Sequence, residues 1–449
     1  MATAVILLAA GQGTRMKSAR PKVLHEVAGA PLLHHAMRAA AVADPARMVV
    51  VTGHGGTAVA DAARALDPEV RIAEQAEQLG TGHAVQMAAP ALEGFAGDAI
   101  ILYADTPFIG ADTLGRLAAA RARHEIVVLG FEPAEPGRYG RLIADGEALQ
   151  RIVEYKDASA AERAIGLCNS GVLAAPWPLL SDLLARLGND NAAGEYYLTD
   201  VVALARAEGR PAGLVLCDEA ETLGVNSRAD LAAAEAAFQA RARADALAGG
   251  VTMTAPETVF LAHDTALAAD VEIGPHVVFG PGVRVGRGAR IRAFCHLEGC
   301  TIAEDATIGP HARLRPGAEI GAGAHVGNFV EVKAATLGAG AKANHLSYLG
   351  DAEVGARANI GAGTITCNYD GVSKHRTEIG ADAFIGSDTM LVAPVSVGAG
   401  AMTGSGSVIT MNVPAGDLAL ARARQINKPG LARRLFDRLR AARDGKRGQ

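Results

Sequence analysis

Residues 301–333 read TIAEDATIGPHARLRPGAEIGAGAHVGNFVEVK, in which an aliphatic residue recurs at every sixth position: Ile302, Ile308, Leu314, Ile320, Val326 and Val332. The same period runs ahead of them through Ile273, Phe279, Val285, Ile291 and Leu297, joined to Ile302 by a slip of five. Behind them, after further slips of five, come Leu337, Ala343 and Leu349, then Val354, Ile360 and Thr366; beyond an insertion the period resumes at Ile379, Ile385, Leu391 and Val397. Gly commonly follows the aliphatic residue, as at Gly274, Gly321 and Gly386. A hexapeptide repeat of this kind signals a parallel β-helix, each coil burying its aliphatic residues under the next. The insertion Cys367–Glu378 (CNYDGVSKHRTE) interrupts the repeat and must loop out, and loops on a rigid scaffold are where binding groups are usually placed. Periodicity alone leaves open a purely structural spacer.

Ahead of the repeats the pattern differs. Short apolar runs (Val5–Leu8, Met48–Val51, Ala99–Tyr103, Glu125–Leu129, Gly213–Leu216) alternate with Ala- and Leu-rich stretches such as Pro31–Val42. Residues 1–227 are therefore expected to form an α/β, Rossmann-like domain with a mainly parallel sheet. Residues 228–248 are nearly all strong helix formers, and Gly249-Gly250 closes them, which predicts a helical linker over 228–250. Residues 251–449 then hold the repeat domain and its tail.

Composition excludes several classes. The 449 residues contain 53 Gly and 19 Pro, well below the roughly 25–30% that marks low-complexity disorder. Aromatics are 4% and the net charge is −5, so neither base stacking nor a global basic field points to nucleic acid. The five cysteines are scattered without a CxxC pair, which argues against a disulfide framework or zinc knuckle and fits a reducing cytoplasm. The opening MATAVILLAAG lacks a basic n-region and leads into a Gly-rich turn, so it reads as a buried first strand. No apolar run approaches the roughly 18 residues that span a bilayer.

The first chemical constellation follows that strand: Leu8-Ala9-Ala10-Gly11-Gln12-Gly13-Thr14-Arg15-Met16, then Pro21-Lys22. Met16 stands where a dinucleotide fingerprint or a Walker A loop needs Gly. What remains is a turn that exposes backbone N–H groups, with Arg15 and Lys22 near enough in sequence to converge on phosphate. Asp105, just past the strand Ile100–Tyr103, lies where open α/β sheets bind ligands, and its hard oxygens suit Mg²⁺ on phosphates.

The string LxxGxGTxMxxxxPK, with Gln75–Gly82 (QAEQLGTG) and Asp105, resembles the signature of the sugar-1-phosphate nucleotidyltransferases. Tyr139-Gly140-Arg141, Glu154, Asn169, Gly194–Asp200 (GEYYLTD) and Gly224-Val225-Asn226 narrow the resemblance to the bifunctional bacterial family that makes UDP-N-acetylglucosamine. That resemblance implies that Leu8, Ala9, Gly11, Gly13, Arg15 and Lys22 hold UTP and its phosphates. It places Gln75, Gly80 and Thr81 on uracil, and Gly140, Glu154 and Asn169 on N-acetylglucosamine-1-phosphate. Asp105 and Asn226 would ligate Mg²⁺, with Arg15 and Lys22 also catalytic. A sugar phosphate dianion is already a nucleophile, so in-line attack needs positioning and charge neutralisation rather than a protein base.

The repeat domain resembles the left-handed β-helix acyltransferases, three hexapeptides to a coil, a sense that departs from the usual right-handed crossover rule. Its histidines lack the HxxxxH spacing of γ-class carbonic anhydrases. His345 stands out. Its surroundings, NHLSYLG over 344–350, with RLRPG over 313–317, HVGNFVEVK over 325–333, NIGAGTITCNYDG over 359–371 and GSDT over 386–389, resemble the acetyltransferase half of the same family. A His can remove a proton from an ammonium at neutral pH. The resemblance makes His345 the base and Glu331 its supporting carboxylate. It puts Arg315, Lys333, Lys374, Tyr348 and Asn359 on glucosamine-1-phosphate, and Ala362, Asn368, Tyr369, Ser387, Ser405 and Arg422 along acetyl-CoA.

The resemblance spans nearly the whole chain and implies a homotrimer acting on small molecules, whose product feeds peptidoglycan and lipopolysaccharide precursors. Gln12, Ala104 and Asn412 depart from residues usual in the family. The basic tail over 431–443 (LARRLFDRLRAAR) places Leu431, Leu435 and Leu439 on one face; a helix packed on a trimer or solvated is expected ahead of membrane-surface binding. Two rivals stay open: a monofunctional nucleotidyltransferase whose β-helix only assembles or regulates, and a non-enzymatic scaffold that binds nucleotide.

Overall fold

The computed structural model describes residues 2–53 and 56–447. They divide into two compact units, Met1–Asp245 with Phe260–Asp264, and Ala246–Val259 with Thr265–Gln449.

In the first unit the strand Thr3–Ala9 is the parallel neighbour of both Arg47–Gly53 and Asp98–Tyr103. Alternate residues of this strand enter different cores: Ala4, Ile6 and Leu8 pack on one side of the sheet, and Val5, Leu7 and Ala9 on the other. A strand buried on both faces has no need of polar alternation, which is why VILLA is continuous. The sheet has nine strands in the order Arg71–Gln75, Arg47–Gly53, Thr3–Ala9, Asp98–Tyr103, Cys168–Pro176, Ile126–Phe131, Ala212–Leu216, Ala148–Val153, Arg141–Asp145.

The expected mainly parallel sheet is found: seven of its nine strands run one way, and Cys168–Pro176 and Ala148–Val153 run the other. Cys168–Pro176 runs antiparallel between Asp98–Tyr103 and Ile126–Phe131. Arg141–Asp145 and Ala148–Val153 form an antiparallel hairpin across Gly146, whose φ of 57° is the left-handed turn conformation that Asp-Gly supplies. The two-residue connection is too short for a crossover, so the pair has to be antiparallel.

The helix Arg228–Ala248 is more than a linker. Ala234 and Gln239 on it are buried. Glu235 accepts from the Ala28 amide at 2.7 Å, and Gln239 exchanges two hydrogen bonds with the Leu261 backbone at 2.7 and 2.9 Å. Through Asp245 it is part of the first unit.

The second unit is a left-handed parallel β-helix of three sheets, in which, between the first and last coils, each short strand pairs with the one three strands later. All the periodic residues from Ile273 to Val397 are buried, none more than 4% exposed. One sheet stacks Ile273, Ile291, Ile308, Val326, Ala343, Ile360 and Ile385 directly over one another. Each slip of five shortens a coil from 18 to 17 residues without moving its aliphatic residue off the stack. The insertion after Cys367 is absorbed as an exposed hairpin bridged between Tyr369 and Lys374.

Corners are turned by single left-handed residues. At one corner His276, Phe294, His311, Phe329 and Leu346, on successive coils, have φ between 52° and 62°. Their repetition gives the coil its left-handed sense despite a steric cost of about 1–2 kcal/mol for each non-Gly residue. The first four rings stack 4.9–5.0 Å apart. The histidines expected as exposed turn residues include His276 and His311 of this ladder. The tail helix Leu431–Arg447 leaves Leu435, Phe436 and Leu439 exposed.

Leu349 is fully buried whereas Leu346 is 60% exposed. Leu349→Ala is therefore expected to cost about 2–5 kcal/mol and Leu346→Ala about 0.5 kcal/mol or less. Urea unfolding of the two variants checks the contrast.

Candidate functional site

The Gly-rich turn of the first unit is shaped around Lys22. Gly13 has φ 60°, and a Cβ there would stand 2.6 Å from the Lys22 Cβ, so the turn closes only with glycine. Lys22 is nearly buried; its Nζ bonds Asp105 Oδ2 and donates to Asn226 Oδ1 at 3.0 Å. Asn226 is brought to this point in two ways. The amide of Val225 donates to the Asp105 carbonyl at 2.9 Å, and the Asn226 and Ser227 amides both donate to Asp230 Oδ2 at 2.9 Å. Asp230 in turn caps the long helix with Ser227, the reciprocal arrangement that fixes a helix N-terminus.

Two oxygens from residues 121 positions apart thus converge on one cationic group. A carboxylate and an amide oxygen are hard donors, and two protein ligands are what a divalent cation shared with phosphate oxygens requires. Asp105 and Asn226 fit that ion. Among the described residues there is no group of three or more His, Cys, Asp or Glu that could hold a metal by itself.

The cleft above the turn is lined by Leu8, Ala9, Gly11, Lys22, Gln75, Gln78, Gly80, Thr81, Tyr103, Asp105 and Glu195. Gln75, at the end of its strand, donates to the Gly80 carbonyl at 3.0 Å and lies 3.1 Å from His83 Nδ1. Gly80 has φ 113°, with the Tyr196 carbonyl where its Cβ would be. Thr81 Oγ1 accepts from the Leu198 amide at 3.1 Å, so the segment 195–198 is laid against 79–82. Gln78 Nε2 reaches the Ala10 carbonyl at 2.5 Å and ties this wall to the turn. Arg15 is exposed beside it.

Gly140 and Asn169 are joined by a backbone hydrogen bond of 2.9 Å, and a Cβ on Gly140 would stand 3.4 Å from Glu154 Oε2. All three are therefore together. Arg141 is 2% exposed and donates to the carbonyls of Tyr139, Gly137 and Arg163, which fixes the Tyr139–Gly140 bend. Burial raises the Glu154 pKa, opposed by a hydrogen bond from Thr199 and aided by Asp200, Asp157 and Glu195. Burial likewise raises Tyr103, helped by Asp105 and Glu154.

In the β-helix the register places site residues on successive coils. Arg313, Glu331 and Tyr348 are consecutive partners in one sheet, and Lys333 pairs with Gly350. Arg315 Nη1 donates to Glu331 Oε1 at 2.8 Å. The Lys374 ammonium, with Arg315 behind it, holds the Lys333 pKa below its ordinary value. Three cations crowded at one spot make an anion cradle. Asn368 Nδ2 bonds Asp351 and reaches the Tyr348 hydroxyl at 3.5 Å. Asp370 holds the hairpin that carries Tyr369 and Lys374, accepting from Val372 and Ser373 amides and lying 2.7 Å from His375 Nε2.

His345 ends its strand at the adjoining corner, exposed, with Nδ1 2.5 Å from Asn328 Oδ1. Glu331 is paired with Arg315 through one oxygen, and Asn328 Oδ1 is at hydrogen-bond distance from the His345 ring. Asn359 lies one coil beyond, in register with Lys342. Ala362, Ser387 and Ser405 form a ladder along one edge. Glycines at 361 and 386 let the coils close, since Cβ atoms there would meet Ser387 N and Ser405 N at 2.5 Å. Arg422 Nη1 donates to the Ser405 carbonyl at 2.9 Å.

Gln78, Tyr103, Glu195 and Asn328 were within the quoted motifs but carried no role there; what marks them is contact with a cleft or ring, which sequence spacing does not display. Of the three departures, Ala104 is buried and Asn412 accepts from the Ser396 amide at 2.9 Å. Burial pushes Cys295 up to about 11 and Cys217 and Cys300 up to about 12, so none of these thiols is a nucleophile at neutral pH.

The model of the MobA-like NTP transferase domain matches residues 5–194, and that of the bacterial transferase hexapeptide, six repeats, matches 299–334. The chain is 66% identical over 440 residues to the bifunctional protein GlmU of Cereibacter sphaeroides, covering 98% of this chain and 97% of that one. It is 64% identical over 437 residues to the bifunctional protein GlmU of Paracoccus denitrificans, covering 97% and 98%. Among solved structures, a UDP-glucose pyrophosphorylase complexed with UDP-glucose is similar at 20% identity and a TM-score of 0.44, covering 54% of this chain and all of that one.

A carboxyl whose pKa is raised by folding stabilises the fold while protonated and loses that contribution as pH rises through the folded value. Glu154→Gln is therefore expected to be more stable than the unmodified chain at pH 7, with the advantage gone below the ordinary Glu value of 4.5. Thermal unfolding at the two pH values checks it; equal stability at pH 7 would contradict the burial argument.

Proposed function

The chain belongs to the bifunctional GlmU protein family, and from that premise we propose how its two units divide the chemistry. It is a bifunctional enzyme of UDP-N-acetylglucosamine synthesis. Acetyl passes from acetyl-CoA to glucosamine-1-phosphate, and a uridylyl group then passes from UTP to N-acetylglucosamine-1-phosphate with release of pyrophosphate. The observation that carries the assignment of two sites is that each unit has its own charged constellation: Lys22, Asp105 and Asn226 in the first, Arg315, Lys333 and Lys374 in the second, with His345 on an adjoining sheet of the same coils.

In uridylyl transfer a phosphate oxygen of the sugar phosphate attacks the α-phosphorus of UTP as the bond to the β-phosphate breaks. Gly11, Gly13 and Arg15 hold the triphosphate, with Lys22 free to turn from its two oxygens toward phosphate. A divalent cation, Mg²⁺ in this reading, would be held by Asp105 and Asn226 and supply charge neutralisation on the phosphates. Gln75, Gly80 and Thr81 take uracil, Leu8 and Ala9 floor the cleft, and Gly140, Glu154 and Asn169 take the acetylated sugar. No protein base is needed, because the nucleophile is already an anion.

In acetyl transfer the amine must lose a proton before its lone pair can attack the thioester. His345 removes it, the C–N bond forms, the C–S bond breaks, and CoA leaves as its thiol. Arg315, Lys333 and Lys374 clamp the phosphate, Tyr348 and Asn359 the sugar. Acetyl-CoA lies along Ala362, Asn368, Tyr369, Ser387, Ser405 and Arg422, and Glu331 keeps Arg315 aimed at the phosphate. Ser387 and Ser405 of the ladder are exposed and Ala362 half-buried in a single chain, which fits a homotrimer whose neighbouring subunit covers them. Among the described residues no helix is long and apolar enough to cross a membrane, and a cytoplasmic location is part of this reading.

Single substitutions separate the two activities. His345→Ala is expected to lower acetyl transfer by about 10²–10⁴-fold and leave uridylyl transfer intact. Asp105→Asn is expected to do the reverse, and chelation of divalent cations to stop uridylyl transfer alone. Parallel assays of CoA and pyrophosphate release check this; loss of both activities in one folded variant would contradict the two-site reading.

A further inference from the structure

We propose that Asn328 is a positioning residue for acetyl transfer, fixing the His345 ring in the tautomer that leaves Nε2 free to take the amine proton; this rests on the acetyltransferase reading of that site. The coils place the two residues together. Asn328 and His345 are register partners on adjacent strands, 17 residues apart. The residues that follow them, Phe329 and Leu346, have φ of 54° and 52°, so both strands turn the corner at the same point. The Leu346 amide donates to the Asn328 carbonyl at 3.0 Å, which locks that register at its end.

The chemistry follows from the atoms in contact. Asn328 Oδ1 lies 2.5 Å from His345 Nδ1. An amide oxygen only accepts, so Nδ1 carries the hydrogen, and in a neutral ring the lone pair then sits on Nε2. The residue expected to do this, Glu331, has an oxygen engaged by Arg315 at 2.8 Å.

A neutral acceptor orients the ring without the attraction for imidazolium that a carboxylate exerts. The ionisable groups on the surrounding strands and corners are His325 and Lys342 on the same sheet, Tyr348 and the Glu331–Arg315 pair on the next, and Asp388 two coils further along the corner. His325 has its pKa lowered by burial first, then by Arg292, His345 and Lys342.

The test compares the full chain with Asn328→Ala and Asn328→Asp, measuring CoA release against pH, with uridylyl transfer in the same preparations as the folding control. Asn328→Ala is expected to lower kcat for acetyl transfer by about 10–100-fold, with KM for glucosamine-1-phosphate within about twofold. Asn328→Asp keeps an acceptor on Nδ1, so it is expected to retain most of kcat at high pH, with the acidic limb of the profile moved up by about one unit or more. Full activity in Asn328→Ala would overturn the proposal, as would equal losses in both variants with an unshifted limb. A wild-type chain that releases no CoA would overturn the acetyltransferase reading itself.

Discussion

The second unit depends on one constraint: every coil must lay its three inward residues directly on those of the coil below. Each strand is only two to four residues long, so no strand could hold its register by backbone hydrogen bonds alone. The buried stack supplies it, since a shift of one residue would turn every aliphatic residue out to solvent. Once register is set, the outward residues are set too. Arg315 comes to lie against Glu331, Asn328 against His345, and Ser387 against Ser405, though each pair is separated by 16 to 18 residues in sequence. A rigid ladder can then present Arg315, Lys333 and His345 on fixed coils, and the hairpin held by Asp370 adds Lys374.

The first unit solves the same problem by a different route. Its strands are long enough to hold themselves, and the site is gathered where their carboxyl ends open, as is general for such sheets. The central tie is a buried ammonium shared between a carboxylate and an amide oxygen. It draws together three chain segments, the turn after the first strand, the end of the fourth strand of the sheet order, and the start of the long helix. That same helix is docked by Glu235 and Gln239, so Asn226 sits at the root of a well-anchored element.

The β-helix was legible because burial there has a period that no other element shares, and the slips of five are visible as 17-residue coils. The two reversed strands of the sheet were not read. The strand Cys168–Pro176 is built of small residues and interrupted by Gly171, and the Asp145-Gly146 hairpin signal lies between short, mixed runs. Among site residues, groups on one turn, such as Gly11, Gly13 and Lys22, could be assembled by spacing. The tie of Asn226 to Asp105, and that of Asn328 to His345, are long-range pairings that only the tertiary register creates. Glu331 and His345 lie on adjoining coils but on different sheets, and one Glu331 oxygen is engaged by Arg315.

Product analysis of the purified chain with glucosamine-1-phosphate, acetyl-CoA, UTP and Mg²⁺, omitting each in turn, tests the central claim most directly. The account predicts UDP-N-acetylglucosamine and pyrophosphate from the full mixture, and N-acetylglucosamine-1-phosphate with free CoA when UTP is omitted. Pyrophosphate release that needs no acetyl-CoA, with no free CoA formed under any condition, would contradict it and leave the β-helix as a scaffold.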